Sequence, residues 1–414
     1  MLNIFIITFK LHLRIYFSGM GNKTKKGLQV FIFIILLLPL VQQNFAFITY
    51  VGLKGYIDYA PDVTFSWEKW WEGTYQPGKS KYCNDWIGFR PDLIRTNNQL
   101  EFSLFRQINY GGTVLGLDNC LYFENYIDAY NGLDYRGDSA IRERLWKLKA
   151  INDTFSRLGK SLVLVHAPNK AYFYSEDIPE PYKGQKMEHT NLQSYLRIGD
   201  SLGINQIDLN DWFASMKNSS KELLMSKQGT HWTNYGAFIG GDSIVRYIEK
   251  LRNINMPHPV VSGIRHTKNP TNPDADINDL ANLIVPVTDE TFSYPIFKYD
   301  DNDTTKKKPR VIFIGDSFVI NMIKNWTLQG ATADWQFWFY FKFVMNKDYN
   351  IGNPEGPQIA NYDWKSEMNK TDCIILMCVS VALPHLGDGF IEQAYDYYYP
   401  KEQVSKHSLP RNND

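Results

Sequence analysis

Apolar positions along the chain fall into two repeating patterns, and each predicts its own kind of element. From Ala140 to Gly159, residues Leu145, Leu148, Ile151, Phe155 and Leu158 recur at steps of three and four, which marks one face of an amphipathic helix. Gly159 stops it. Ser161 to His166 then reads SLVLVH, an unbroken apolar run of the kind found in strands covered on both faces, closed by Ala167-Pro168. The cycle repeats with a helical pattern at Leu192–Leu202, a short strand at Ile207–Leu209, and a helix over 234–252 carrying Ala237, Ile244, Val245, Ile248 and Leu251. Two more apolar strands follow, RVIFI at Arg310–Ile314 and DCIILMCVS at Asp372–Ser380. Helices alternating with such strands predict an α/β fold, a parallel sheet with helices on both faces.

Outside this core the pattern weakens. Residues 51–137 are aromatic- and Gly-rich and show no long clean helix, and residues 253–309, rich in Pro, Asn, Asp and Thr, read as an insertion. At the amino end, Lys10, Arg14, Lys23, Lys25 and Lys26 precede the apolar run Val30–Val41, and no acidic residue appears before Asp58. That asymmetry places the basic flank on the cytoplasmic side of a membrane and the rest of the chain on the outer side. The run is shorter than the roughly 20 residues of a full span, yet VQQNFAFITY offers no small-residue cleavage site after it. An uncleaved anchor is therefore favoured over a cleaved signal, and either puts the globular part outside the cytoplasm. Met20, followed by Lys-rich sequence, would open a normal signal by itself, so the stretch before it is expected to be extra. The expected division is a cytoplasmic basic segment 1–27, an anchor or signal 28–50, an amino-terminal segment 51–137, the α/β domain 138–402 with its insertion, and a tail 403–414.

Charge is balanced, with 44 basic and 44 acidic residues, so there is no electrostatic footprint for nucleic acid. Aromatic residues reach 15%, which suits a Tyr-rich core and equally the stacking of sugar rings. Of the four cysteines, Cys373 and Cys378 sit on opposite faces of a buried strand, while Cys83 and Cys120 could bridge in an oxidising compartment. No Cys/His spacing resembles a zinc site, and neither a metal nor a cofactor is expected.

Two motifs carry candidate chemistry. The strand Val311–Ile314 runs into Gly315-Asp316-Ser317-Phe318, and the turn after a parallel strand is where ligands bind. Ser317 is a candidate nucleophile, or else a plain helix cap. Gly315 permits a close turn, and Asp316 suits bonding to neighbouring backbone amides. Gly315 and Asp316 are oxyanion candidates as well as turn residues, since free N–H groups here could hold an oxyanion. The second motif is Gly229-Thr230-His231-Trp232, in a loop before a helix. A serine nucleophile needs a base that is partly neutral near pH 7, which His231 supplies.

The order GTHWxxxGA, then a variable stretch, then strand-GDSF resembles the SGNH-hydrolase-like domain of the alginate O-acetylation proteins, the AlgX/AlgJ type. HAPNKAYFY at His166–Tyr174, GFRPDLIRTNNQLEFSLF, GLDNCLYFENY and TDCIILMCVSVALPHLGDGFIEQAY are similar to other blocks of that family, so the likeness spans roughly residues 85–400. Ordinary SGNH esterases place the serine early and the histidine last; here the order is permuted, as in the acetylation proteins. The resemblance implies acetyl transfer to a polysaccharide through an acetyl-Ser317, with His231 as base, next to a membrane-bound O-acyltransferase that supplies acetyl groups. It also makes Trp232 and Lys170 candidates for contact with substrate.

One position departs from the family. Where its members read Asp-Thr-His-Trp, this chain has Gly229. Three readings stay open: a Ser–His dyad, another carboxylate (Asp208, Asp211 or Asp242) standing in for the acid, or loss of catalysis with binding retained. A carbohydrate acetylesterase and a non-catalytic polysaccharide-binding scaffold are the alternatives to a transferase.

Overall fold

The computed structural model describes residues 21–55, 57–300, 303–325, 327–347 and 356–400. Lys10, Arg14 and the tail 403–414 lie outside the described residues. The chain divides into two compact units: residues up to Phe105 with Asn282–Ile284, and Arg106–Ala281 with Val285 onward.

In the first unit, helix α1 (Asn22–Phe45) has 24 residues and extends about 36 Å at 1.5 Å per residue. It is long and apolar enough to cross a membrane. Two shorter helices, Trp67–Trp71 and Tyr75–Trp86, precede α2 (Arg90–Phe105). The 16 residues of α2 correct the expectation that 51–137 lacks a long helix. Pro91 falls in its first turn, where the missing N–H would have had no partner anyway, so the proline starts the helix and does not break it.

The second unit begins with a small antiparallel pair, β1 (Thr113–Leu115) and β2 (Leu121–Phe123), followed by α3 (Glu124–Asn131) and α4 (Asp138–Arg157). Among the described residues the main sheet has six strands, in the order β4-β3-β10-β7-β8-β9. They are β3 (Ser161–Ala167), β4 (Gln206–Asp208), β7 (Arg310–Gly315), β8 (Asp334–Phe339), β9 (Phe343–Met345) and β10 (Cys373–Val379). All pairings are parallel except β9 on β8 at one edge. Successive side chains in each strand enter opposite layers. Val163, Val165, Phe313, Ile375 and Met377 pack with Ala237, Ile244 and Ile248 of helix α8 (Asn234–Arg252). Leu162, Leu164, Ile312, Ile374 and Leu376 pack with Leu145, Leu148 and Phe155 of α4, and with Phe390 and Ile391 of helix α11 (Phe390–Tyr398). Cys373 and Cys378 join opposite layers. All four cysteines are free, Cys83 exposed and Cys120 buried.

Three further helices lie between β3 and α8 in the chain: α5 (Lys170–Phe173), α6 (Asn191–Ser201) and α7 (Leu209–Met216). Within residues 253–309, β5 (Val260–Thr267) and β6 (Phe292–Lys298) form an antiparallel hairpin that encloses α9 (Asp276–Ala281). Phe297 of the hairpin packs on Phe238 of α8, ring centroids 4.8 Å apart. The run is thus more than a polar loop.

Candidate active site

Strand β7 ends at Gly315, where a side chain is sterically impossible: a Cβ would stand 1.7 Å from the Met377 carbonyl of the adjacent β10. The next residue, Asp316, is buried. Its Oδ1 accepts from the Phe318 amide at 3.0 Å and its Oδ2 from the Val379 amide at 2.7 Å. Burial pushes this carboxyl up to about 6, against the pull of those two amides. Asp316 therefore does the capping work at the start of helix α10 (Phe318–Lys324), and the Ser317 side chain makes no cap bond. The capping alternative for Ser317 is corrected by this geometry.

The Ser317 hydroxyl instead meets His231, with Oγ 2.7 Å from Nε2. These two residues stand 86 positions apart in sequence. The imidazole is mostly buried against the Phe318 ring, 4.8 Å away. On its other side, Nδ1 lies 2.8 Å from Oδ2 of Asp276, the first residue of α9. Asp276 is itself fixed, because its Oδ1 accepts from the Thr230 amide at 2.5 Å and from its neighbour Ile277 at 3.0 Å. Serine, histidine and carboxylate form one continuous hydrogen-bonded line.

None of the three carboxylates considered from sequence takes part. Asp208 caps α7 by accepting from the Asn210 amide at 2.9 Å. Asp211 accepts from the Tyr172 hydroxyl. Asp242 binds His258 Nδ1 at 2.7 Å and Arg246 at 2.8 Å. Asp276 escaped notice because the Pro- and Asn-rich segment around it has no period to read; the only signal was the vacancy at Gly229.

Two expected substrate contacts are also corrected. Trp232 is fully buried, and its indole N–H donates to the Phe318 carbonyl at 3.1 Å. It ties the histidine loop to the serine helix. Lys170 is 1% exposed; its Nζ donates to the carbonyls of Lys227 at 2.9 Å and Gly229 at 2.6 Å. Burial pulls this ammonium below the ordinary lysine range. Glu290 grips the same loop from a third direction, accepting from Ser226 Oγ at 2.7 Å and the Lys227 amide at 2.9 Å. The loop that presents His231 is clamped by charged groups, each with its partner.

Tyr340, just past β8, was not singled out from sequence. Its amide donates to the Gly315 carbonyl at 2.8 Å, and its phenol lies near Ser317. Burial, reinforced by Asp316 and Asp388, raises that phenol to about 12, so it is a neutral donor beside the serine.

Several solved structures are similar to this chain at low identity. The O-acetyltransferase domain of Pseudomonas putida AlgJ shares 14% identity over 69% of this chain and 99% of its own, with a TM-score of 0.44. Pseudomonas aeruginosa AlgX shares 15% over 67% of this chain and 68% of its own (TM-score 0.41), and Bacillus cereus PatB1 shares 11% over 60% and 91% (TM-score 0.35). No curated protein matches the chain. The sequence model described as "SGNH hydrolase-like domain, acetyltransferase AlgX" matches residues 114–337, more than half of the chain. The chain belongs to that family, the AlgX-type SGNH hydrolase-like acetyltransferases.

Proposed function

We propose that the protein transfers acetyl groups to hydroxyls of an extracytoplasmic polysaccharide through an acetyl-Ser317 intermediate. The observation that carries this reading is the line Ser317–His231–Asp276, with a hydrogen bond at each joint. With its Nδ1–H directed at Asp276, His231 keeps an unprotonated Nε2 facing the serine. Nε2 takes the Ser317 proton as Oγ bonds to the acetyl carbon of a donor. The carbonyl oxygen becomes an oxyanion, to which the Ser317 amide and the Tyr340 phenol are suited as donors. When the bond to the leaving group breaks, the proton on His231 goes with that group. In the second half, a sugar hydroxyl gives its proton to His231 and attacks the acetyl carbon. The Oγ–carbon bond breaks and the proton returns to Ser317. Asp276 stabilises the imidazolium in both halves.

Membership in the family supports polysaccharide as acceptor. Helix α1 supports tethering, which would keep the site beside a membrane-bound O-acyltransferase able to supply acetyl groups. Intact-mass measurement after incubation with p-nitrophenyl acetate tests the reading. An added acetyl group on Ser317, absent from Ser317→Ala, is expected. An unmodified protein would leave only the binding-scaffold reading, and an adduct that discharges to water alone would make the protein an esterase.

A further inference from the structure

The carboxyl ends of β3 and β10 open onto a cleft of about 470 Å³, within the size range of small-molecule sites. Asn169 and Ser380, which follow these strands, line it, and the Asn169 side-chain amide donates to Ser380 Oγ at 2.5 Å. Tyr130, Tyr172 and Phe173 supply aromatic walls. The Tyr130 and Tyr172 rings meet edge to face, centroids 6.0 Å apart. The Lys186 ammonium stands 5.0 Å from the centre of the Tyr130 ring.

The cleft lies on the same edge of the sheet as Ser317. Strand β10 separates β7, which leads to Ser317, from β3, which leads to Asn169. At about 4.8 Å per strand the two exits are roughly 10 Å apart, a span that a pair of linked sugar rings covers. Helix α3 bridges that distance. Its Tyr126 is close enough to Asp316 and Asp276 for their charges to act on its phenol, and its carbonyl accepts from Asn169 at 3.2 Å. Tyr130, one turn on, lies on the same helix face and lines the cleft.

We infer that this cleft holds a pyranose unit of the acceptor polysaccharide, displaced along the polymer from the unit whose hydroxyl reaches Ser317. Aromatic walls suit the C–H faces of a sugar ring, and polar groups at the rim suit its hydroxyls. The assignment rests on the transferase reading, and it turns the enzyme into one that measures acceptor length. A single sugar reaches only the serine, whereas a longer fragment fills both places.

The test uses the full chain in detergent, p-nitrophenyl acetate as donor, and the producing cells' surface polysaccharide as acceptor, stripped of acetyl by mild alkali and cut into sized fragments. Wild-type KM is expected to fall by about tenfold from single units to longer fragments, equivalent to about 1.4 kcal/mol. Tyr130→Ala and Tyr172→Ala should raise KM for long fragments by a similar factor and leave KM for single units where it was. Ser175→Trp, which fills the cleft from its rim, should do the same without removing any wall. A KM that is independent of length, or one raised equally for short and long fragments, overturns the cleft assignment alone. Wild-type protein that transfers acetyl to no fragment of any length overturns the transferase reading, and the cleft assignment falls with it.

Discussion

The Asp274 carbonyl oxygen stands 2.4 Å from the point where a β-carbon on Gly229 would sit, and Asp276 Oδ1 is 3.2 Å from it. The backbone turn that delivers Asp276 to His231 thus occupies the volume that an aspartate two positions before the histidine would need. The glycine and the distant carboxylate are two halves of one arrangement. Space, and not a left-handed backbone, is what demands glycine there, because Gly229 has no positive φ.

Restoring the family's aspartate should accordingly harm this protein. Gly229→Asp is expected to displace the 274–276 turn at a cost of about 1–3 kcal/mol, the usual penalty for overpacking, and to lower the rate of acetyl-enzyme formation. Adding Asp276→Gly to it should bring no recovery, since the Asp274 carbonyl remains in place. Recovery in the double variant, followed by p-nitrophenol release, would show that only the carboxylates compete.

Asp276→Asn keeps the size of the side chain but removes the charge that supports the imidazolium. The rate of acetyl transfer should fall by roughly 10³–10⁴-fold with little change in acceptor KM. Asp208→Asn and Asp242→Asn, which act on a helix cap and on His258, should keep a near wild-type rate. Stopped-flow kinetics on the three variants separates these outcomes.

Lys170→Met should leave the Gly229 carbonyl without its ammonium donor, while the Lys227 carbonyl keeps the Leu121 amide. The expected loss in stability is about 1–3 kcal/mol, the cost of one unmet buried group. Because Gly229 lies two residues before His231, kcat should drop as well. Lys170→Arg is not expected to rescue it, since the planar guanidinium cannot reproduce one compact ammonium between two carbonyls. Urea unfolding together with kcat measures both effects.

Asp274 supplies a dependence on pH. Burial raises its carboxyl to about 6 from 3.8, so the folded state holds a proton that the unfolded chain releases. The stability this lends is complete below the unfolded value and is lost as pH rises through 6, a change of about 3 kcal/mol. Asp274→Asn, with no charge to bury, should gain on wild type by about that amount between pH 4 and pH 7.5 in paired unfolding curves. A difference that stays constant with pH would refute the assignment.

Helix α1 should keep the full chain in the membrane pellet through carbonate extraction, with the globular part open to protease from outside. Recovery as a soluble protein that starts near residue 48 would identify a cleaved signal.

Much of this architecture was legible in the sequence, for physical reasons that differ by element. The strands β3, β7 and β10 announce themselves because both faces are covered, which leaves no room for polar alternation. The approach of Ser317 to His231 was readable because each sits at the end of a patterned element. Asp276 was not, since its place depends on a tertiary turn that local pattern does not encode. Lys170 and Trp232 misled for a common reason: polar tips that suggest a surface are satisfied here by backbone carbonyls of Lys227, Gly229 and Phe318. The aromatic run of β8 escaped because its flanks carry no turn signal of their own.

Asp316 relieves Ser317 of any duty in capping the helix that follows it. The hydroxyl's bond within the fold is the one to His231, worth about 0.5–1.5 kcal/mol. A cell that carries Ser317→Ala would accumulate the protein at close to its usual abundance, so a change in its surface chemistry would report the missing oxygen atom and not a missing protein.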